Sequence, residues 1–416
     1  MRNLRKSEKG DNLIIRSRSE EYRLRIAYFS PLPPDRSGIA DYSLELLPHL
    51  SQYADITIYT AQPEKVNHEL RDGFEMRGLE SVAEDRGQHD VALYQMGNSV
   101  YHNAFFPLLT QYPGVVVLHD YYIHHFIAHR TMGTENFSAY ARELGYAFGK
   151  EGMHLAQDIR LGFKEMPVYN LALNNRILDV SLGLLVHSEY VAEKVRQDGF
   201  RLPVQIVPQI MEPQSGHSRR HELGLDSNNL IFASYGLLTT AKQIEFALRA
   251  FKRLLQTVPN AHYLLVGEAM SDANPESVIQ ELGLDGVVHC TGYVTELSSF
   301  VDWIQTADVV INLRYPTVGE TSATALRAMA AGRPVIVFDH GWYGELPDGA
   351  AVKIAPMDQE ELFAAMIELA SSSDLRRQIG QTAQHYIEKT CHPTVVAEAY
   401  ITALHHTLNH YYKHYE

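Results

Sequence analysis

Two series of short, almost wholly apolar runs alternate with helix-period segments along this chain. The first series is LRIAYFS (24–30), ADITIYT (54–60), DVALYQMG (90–97), GVVVLHD (114–120), the opening of LGLLVHSEYVAEKV (182–195) and VQIVPQ (204–209). The second is NLIFASYG (229–236), HYLLVGE (262–268), VVHCTG (287–292), DVVINLR (308–314), PVIVF (334–338) and AAVKIA (350–355). Such runs lack strict polar alternation and read as strands buried on both faces. Segments between them carry one apolar stripe, as at Ile244, Ala247, Leu248 and Phe251, and read as covering helices. The expected class is therefore α/β, with doubly wound parallel sheets whose ligands collect at the carboxyl ends of the strands.

At 416 residues the chain suits two domains of roughly 200 residues each. The first is expected over 24–210, with an aromatic-rich helical insertion over 121–175. The polar, Pro- and Gly-bearing stretch 211–225 reads as a linker, and 226–395 as the second domain.

The densest candidate chemistry lies in 308–339, a strand, loop, helix, strand unit. A helix starting near Thr321 would aim unpaired N–H groups and the positive end of its dipole at an anion. Thr321, Ser322 and Thr324 add hydroxyls, and Ala323, Ala325, Ala328, Ala330 and Ala331 keep the helix thin. The first loop, PLPPDRSGIADYS, makes a second cradle in which Gly38 permits a tight turn. His119 falls at a strand end, and Ser188 reads as a helix N-cap. His125 and His129, one helical turn apart, have the spacing of a metal pair but lack a third ligand; the alternative is a helix lining the cleft. His406, His410 and His414 recur along one face of the last helix, which reads as a solvated face or a metal stripe.

The run PTVGETSATALRAMAAGRPVIVFDHGWYGELPDG resembles the donor-binding signature of the retaining glycosyltransferases of family GT4, in the variant form LR-x-P-x-x-GETS. The resemblance implies the GT-B fold: two Rossmann-like domains facing across a cleft, with the C-terminal helix (396–416) packing back on the first domain. By the same resemblance Gly38 lies near the donor diphosphate, and VVVLHDYY places His119 against the donor sugar with Asp120 as its orienting neighbour. Gly236 and Lys242 match the Gly and Lys of the element Gly-Arg-Leu, three residues, Lys-Gly, where Lys242 neutralises a diphosphate oxygen. Gly267 ends the next strand, and Tyr293 and Val294 fall where relatives meet the nucleotide base. Arg314, Glu320, Thr321, Ser322 and Arg327 complete the expected donor pocket.

The sequence departs from the family pattern twice. Leu237 stands in the Arg position, and Arg327 stands where a second Glu accepts hydrogen bonds from ribose. An Arg cannot accept. Either the donor lacks the 2′-hydroxyl, as a deoxythymidine diphosphate sugar does, or Arg327 takes a phosphate while Glu320 covers the ribose.

The implied activity is transfer from a nucleoside diphosphate sugar (dTDP-, UDP- or GDP-linked) to a glycan, lipid-linked or small-molecule hydroxyl, with anomeric retention and no metal or cofactor. The residues expected to carry it are His119, Lys242 and Glu320. A non-catalytic subunit of the same fold that binds a partner enzyme, or a nucleotide-sugar epimerase, are the alternatives.

Composition narrows the setting. A formal charge of −14 disfavours nucleic acid as a partner. Cys290 and Cys391 are the only cysteines, which suits a reducing cytoplasm. No run approaches the ~18 apolar residues of a membrane span. The leader 1–23 is basic, with Arg2, Arg5, Lys6, Lys9, Arg16 and Arg18, and either contacts anionic lipid at the inner membrane face or is a plain flexible tail.

Overall fold

The computed structural model of the chain describes residues 23–133 and 136–415, the last two as backbone only. The leader expectations therefore lie outside the described residues, except for Arg23, whose Nε is 2.9 Å from Asp55 Oδ1. Among the described residues no helix is long and apolar enough to cross a membrane.

The first domain contains β1 (Leu24–Phe29), β2 (Ala54–Thr60), β3 (Glu75–Gly78), β4 (Val91–Met96), β5 (Val115–Leu118), β6 (Gly183–Val186) and β7 (Val204–Ile206). They form one sheet in the order β3-β2-β1-β4-β5-β6-β7, with every pair parallel. The second domain repeats the arrangement with β8 (Leu230–Tyr235), β9 (Ala261–Val266), β10 (Val288–Gly292), β11 (Val309–Ile311), β12 (Val335–Phe338) and β13 (Val352–Ile354), ordered β10-β9-β8-β11-β12-β13. In each sheet the order reverses beside the first strand, between β1 and β4 and between β8 and β11. Loops there diverge to opposite faces and leave a crevice at the carboxyl ends.

The strands are apolar because both faces are covered. In β1, Tyr28 joins the side that packs under the first helix, while Phe29 stacks on Tyr94 at 4.4 Å and Tyr59 at 5.3 Å on the other side. β3, sequence EMRG, was not expected: it is an edge strand paired only with β2, so it needs no continuous apolar run. β11 is shorter than the expected 308–314, because the chain turns away at Asn312, whose side-chain amide donates to Ser322 Oγ and Tyr343 Oη, both at 3.0 Å.

Eight helices bear on the site or its surroundings. They are α1 (Gly38–Leu50), α2 (His124–Met132), α3 (Phe137–Arg160), α4 (Glu189–Gln197), α5 (Ala323–Ala330), α6 (Gln359–Ser371), α7 (Ser373–Tyr386) and α8 (Pro393–Tyr415). Helix α8 crosses back onto the first domain: Val396, Tyr400, Ala403, Leu404 and Leu408 share a core with Leu46, Leu47 and Leu50 of α1. Tyr400 Oη lies 2.5 Å from Tyr42 Oη. His406 Nδ1 is 3.3 Å from the Gln205 amide, and among the described residues no three His, Cys, Asp or Glu side chains are placed to hold a metal.

Candidate active site

The crevice loops of the two sheets face one another. In the second domain, β8 and β9 end in Gly236 and Gly267, both with positive φ. A Cβ on Gly267 would lie 2.1 Å from Gly236 O, and one on Gly236 only 2.8 Å from Lys242 Nζ and 3.5 Å from Thr324 Oγ1. Side chains are excluded from both turns, so Lys242 and the first turn of α5 converge on the same small space. Lys242 Nζ donates to Tyr235 O. Burial and the Arg314 guanidinium hold its pKa down at about 7, against the opposing pull of Glu320.

Helix α5 begins two residues later than expected. Ser322 is its N-cap, accepting from Ala325 N at 3.2 Å, so its buried hydroxyl serves the helix and Asn312 and is not offered to a ligand. Thr321 precedes the cap, and the unpaired N–H groups start at Ala323. Glu320 is nearly buried: its Oε2 accepts from Thr317 Oγ1 (2.7 Å) and Val318 N (2.8 Å). Its Oε1 is 2.8 Å from Arg314 Nε, a charge contact without hydrogen-bond alignment, so that oxygen is left with no hydrogen bond.

Across the cleft, Asp120 Oδ2 accepts from Asn98 N at 2.7 Å. Its pKa is raised to about 7, first by burial and then by Glu320 of the other domain, with Asn98 N–H and Arg314 opposing. Asp120 therefore does not orient His119, as the sequence suggested; it faces Glu320.

His119 turns inward instead. His187 Nδ1 is 2.8 Å from Val207 O, so that nitrogen carries its proton and Nε2 accepts. His119 Nδ1, 3.2 Å away, must then donate, leaving its Nε2 as an acceptor 2.7 Å from the Gln95 side chain. Burial depresses both imidazole pKa values, that of His187 to about 4, so neither ring supplies a second proton. The Gln95 amide must therefore present its nitrogen to His119, which also pairs a buried nitrogen that otherwise has no partner. With both ring nitrogens committed inside the first domain, His119 has no N–H for a sugar, which corrects the role the sequence assigned to it.

Two further expectations change. Gly38 opens α1 without positive φ and with open space where a Cβ would sit, so no tight turn requires it. Arg327 is not in a ribose or phosphate position in this arrangement: its Nη2 donates to Glu45 of α1, and its Nη1 is buried without a partner. Tyr293 is exposed, with the Arg36 guanidinium 5.1 Å above its ring, and Val294 packs against the core of the second domain.

The structure adds Asn98 and Tyr169, which the sequence did not mark, and brings His125 between them. Asn98 Nδ2 meets His125 Nδ1 at 3.0 Å, and His125 stacks edge-on to Tyr169 at 5.5 Å. Asp272 of the second domain opposes the depression that burial imposes on the His125 pKa. Tyr169 senses Arg314, Asp272 and Glu320. His125 thus lines the cleft, the duller of its two readings. The overlooked signal was Gly97-Asn98 at the end of β4, beside the switch point: a Cβ on Gly97 would lie 2.4 Å from Ile39 Cδ1 and 2.9 Å from Asp120 Oδ2.

The domains also touch directly. Tyr122 N donates to Val318 O at 2.9 Å. A Cβ on Gly319, where φ is +82°, would lie 2.7 Å from Tyr121 Cβ. Glu345 accepts from Glu189 N (2.9 Å) and Tyr190 N (2.6 Å), placing a carboxylate of the second domain on the N-terminus of α4 in the first.

Two facing Rossmann-like domains with these switch-point crevices define the GT-B class of fold. Solved structures agree across nearly the whole chain. Anabaena HepE, crystallised with UDP-glucose, is similar with a TM-score of 0.64 at 14% identity, over 92% of this chain and all of that one. Sucrose-phosphate synthase from Thermosynechococcus elongatus gives 0.63 at 14%, over 93% and all of it. In sequence, residues 228–372 match the family described as Glycosyl transferases group 1. Mannosylfructose-phosphate synthase of Agrobacterium fabrum is 27% identical over 166 residues, 37% of this chain and 36% of that protein. The match thus spans about a third of the curated relative's length.

Proposed function

We propose that this chain is a retaining glycosyltransferase of the GT4 type, moving a sugar from a nucleoside diphosphate sugar to an acceptor hydroxyl in glycan or glycoconjugate biosynthesis. The observation that carries the proposal is the convergence of Lys242, Thr324 and the start of α5 around Gly236 at the switch point of the second domain. As the sugar departs, negative charge grows on the diphosphate. The preorganised N–H groups of Ala323 and Thr324, ahead of the capped Ala325 N–H, and the Lys242 ammonium are suited to stabilise it.

Glu320, with one oxygen free of hydrogen bonds and Arg314 beside it, is the group to accept from a hydroxyl of the donor. Tyr293 would lie beside the base, beneath Arg36. Asn98, His125 and Tyr169, a neutral and partly aromatic wall, suit an acceptor sugar. The acceptor proton would pass to a leaving phosphate oxygen, so no separate base and no metal ligand is assigned. UDP is the first nucleotide to try because HepE was solved with UDP-glucose; dTDP and GDP sugars follow.

The test is product analysis. Purified protein is incubated with each donor and a panel of sugars, and the anomeric configuration of the product is read by NMR. Transfer with retention, abolished by Lys242→Ala in a folded protein, is expected. An inverted product, or no turnover with any donor, would sink the proposal.

A further inference from the structure

The far end of the second domain, away from the cleft, holds a cavity of about 380 Å³. It lies between the loop after α5, at Ala331, Gly332, Arg333 and Pro334, and one face of α7. That volume is in the range of small-molecule sites. The amino ends of a parallel sheet are not where the donor would bind, so the proposed transfer leaves this cavity without a role.

Its chemistry runs against the composition of the chain. In a protein of formal charge −14, three guanidinium groups, Arg333, Arg376 and Arg377, line one pocket. The acidic residue lining it, Asp308, is already committed: its Oδ2 lies 2.5 Å from Arg220 Nη2 and accepts from Ile231 N at 2.8 Å. Arg376 is fixed in place, its Nη1 donating to Leu369 O (2.5 Å) and Ala370 O (3.3 Å) at the end of α6. Arg333 donates to Gln305 through Nη2, but its Nε is buried with no partner. An unmet buried donor on a cation is the feature a bound anion would satisfy. Ser373, Gln381 and Gln384 add neutral hydrogen-bonding groups to the wall. The scaffold beneath is close-packed, because a Cβ on Gly380 would lie 2.1 Å from Gly332 O, so loop and helix meet backbone to backbone.

We propose that this cavity binds a phosphate-bearing small molecule, through Arg333, Arg376 and Arg377. Guanidinium groups pair with phosphate oxygens in a planar fork, and the neutral wall suits sugar hydroxyls carried by the same molecule. Two sources share this chemistry: free phosphate and a sugar phosphate.

Calorimetric titration of the full chain at constant ionic strength, with inorganic phosphate in one arm and glucose 6-phosphate in the other, tests the proposal. Working in a Lys242→Ala background weakens any binding in the cleft, and the difference made by Arg377→Glu reports on the distal cavity alone, which keeps this test separate from that of the transferase reading. Arg377 Nη1 also pairs with Asp374 Oδ1 at 2.9 Å, an exposed contact that an incoming phosphate would compete with. Saturable binding is expected, weakened roughly tenfold or more by Arg377→Glu, whose exposed position leaves the core untouched. Tighter glucose 6-phosphate identifies a sugar phosphate, and equal affinities identify the free anion; either outcome supports the site. A lack of saturable binding in both arms, or identical binding in the Arg377→Glu protein, would overturn it.

Discussion

Arg327 of α5 and Glu45 of α1 form an ion pair that joins the two domains, with side-chain exposures of only 8% and 15%. Removing one member of such a pair leaves the other charge buried and uncompensated, which costs about 3–5 kcal/mol. Glu45→Ala should therefore destabilise the protein by about that amount in urea unfolding. The double variant Glu45→Leu with Arg327→Met should recover much of the loss. An unchanged midpoint for Glu45→Ala would show that the pair does not hold the domains together.

The depressed pKa of Lys242 makes a pH test of the proposed diphosphate site possible. Its folded pKa of about 7 lies below the ordinary 10.5. Below pH 7 it is charged in both folded and unfolded chains, and the cost of burying that charge is carried in full. Between 7 and 10.5 the folded chain gives up the proton first, so this group's contribution to stability rises with pH. A diphosphate beside it would restore the proton. Titration of UDP at pH 8 in buffers of different ionisation enthalpy should show uptake of about one proton, lost in Lys242→Met. Proton-neutral binding by the unaltered protein would contradict this placement.

Asp120 has the opposite sign. Its pKa is raised from 3.8 to about 7. Between those values the folded chain holds a proton that the unfolded chain has released, so the group's contribution to stability falls as pH rises across the window. Above 7 the buried carboxylate is ionised next to Glu320. Asp120→Asn should leave Tm nearly unchanged at pH 4 and raise it at pH 8 by roughly 2–4 °C, the shift about 1 kcal/mol produces in domains of this size. Equal shifts at both pH values would contradict a perturbed Asp120.

Much of this fold was legible because buried parallel strands leave a plain mark, and each of the twelve apolar runs overlaps an observed strand. The edge strand β3 was not, since pairing on one side needs little apolar character. The approach of Lys242, Gly236 and Gly267 was legible because two strand ends that turn this closely together exclude side chains, a constraint that is local in sequence. His119 could not. Its neighbours Gln95 and His187 come from other strands, and only the assembled sheet shows that its nitrogens are consumed. Arg327 presented the same difficulty, because Glu45 lies 282 positions away in sequence. Read by local pattern it was a lost ribose ligand, and in three dimensions it is an interdomain contact.

The most direct measurement is the affinity of UDP and UDP-glucose for the unaltered protein and for Lys242→Ala, by calorimetry at pH 6.5 with circular dichroism confirming the fold. One nucleotide per chain, held roughly tenfold or more tighter by the unaltered protein, is predicted. Equal binding by the two proteins, or binding of neither these nor the dTDP and GDP counterparts, would contradict a diphosphate site at Lys242 and α5.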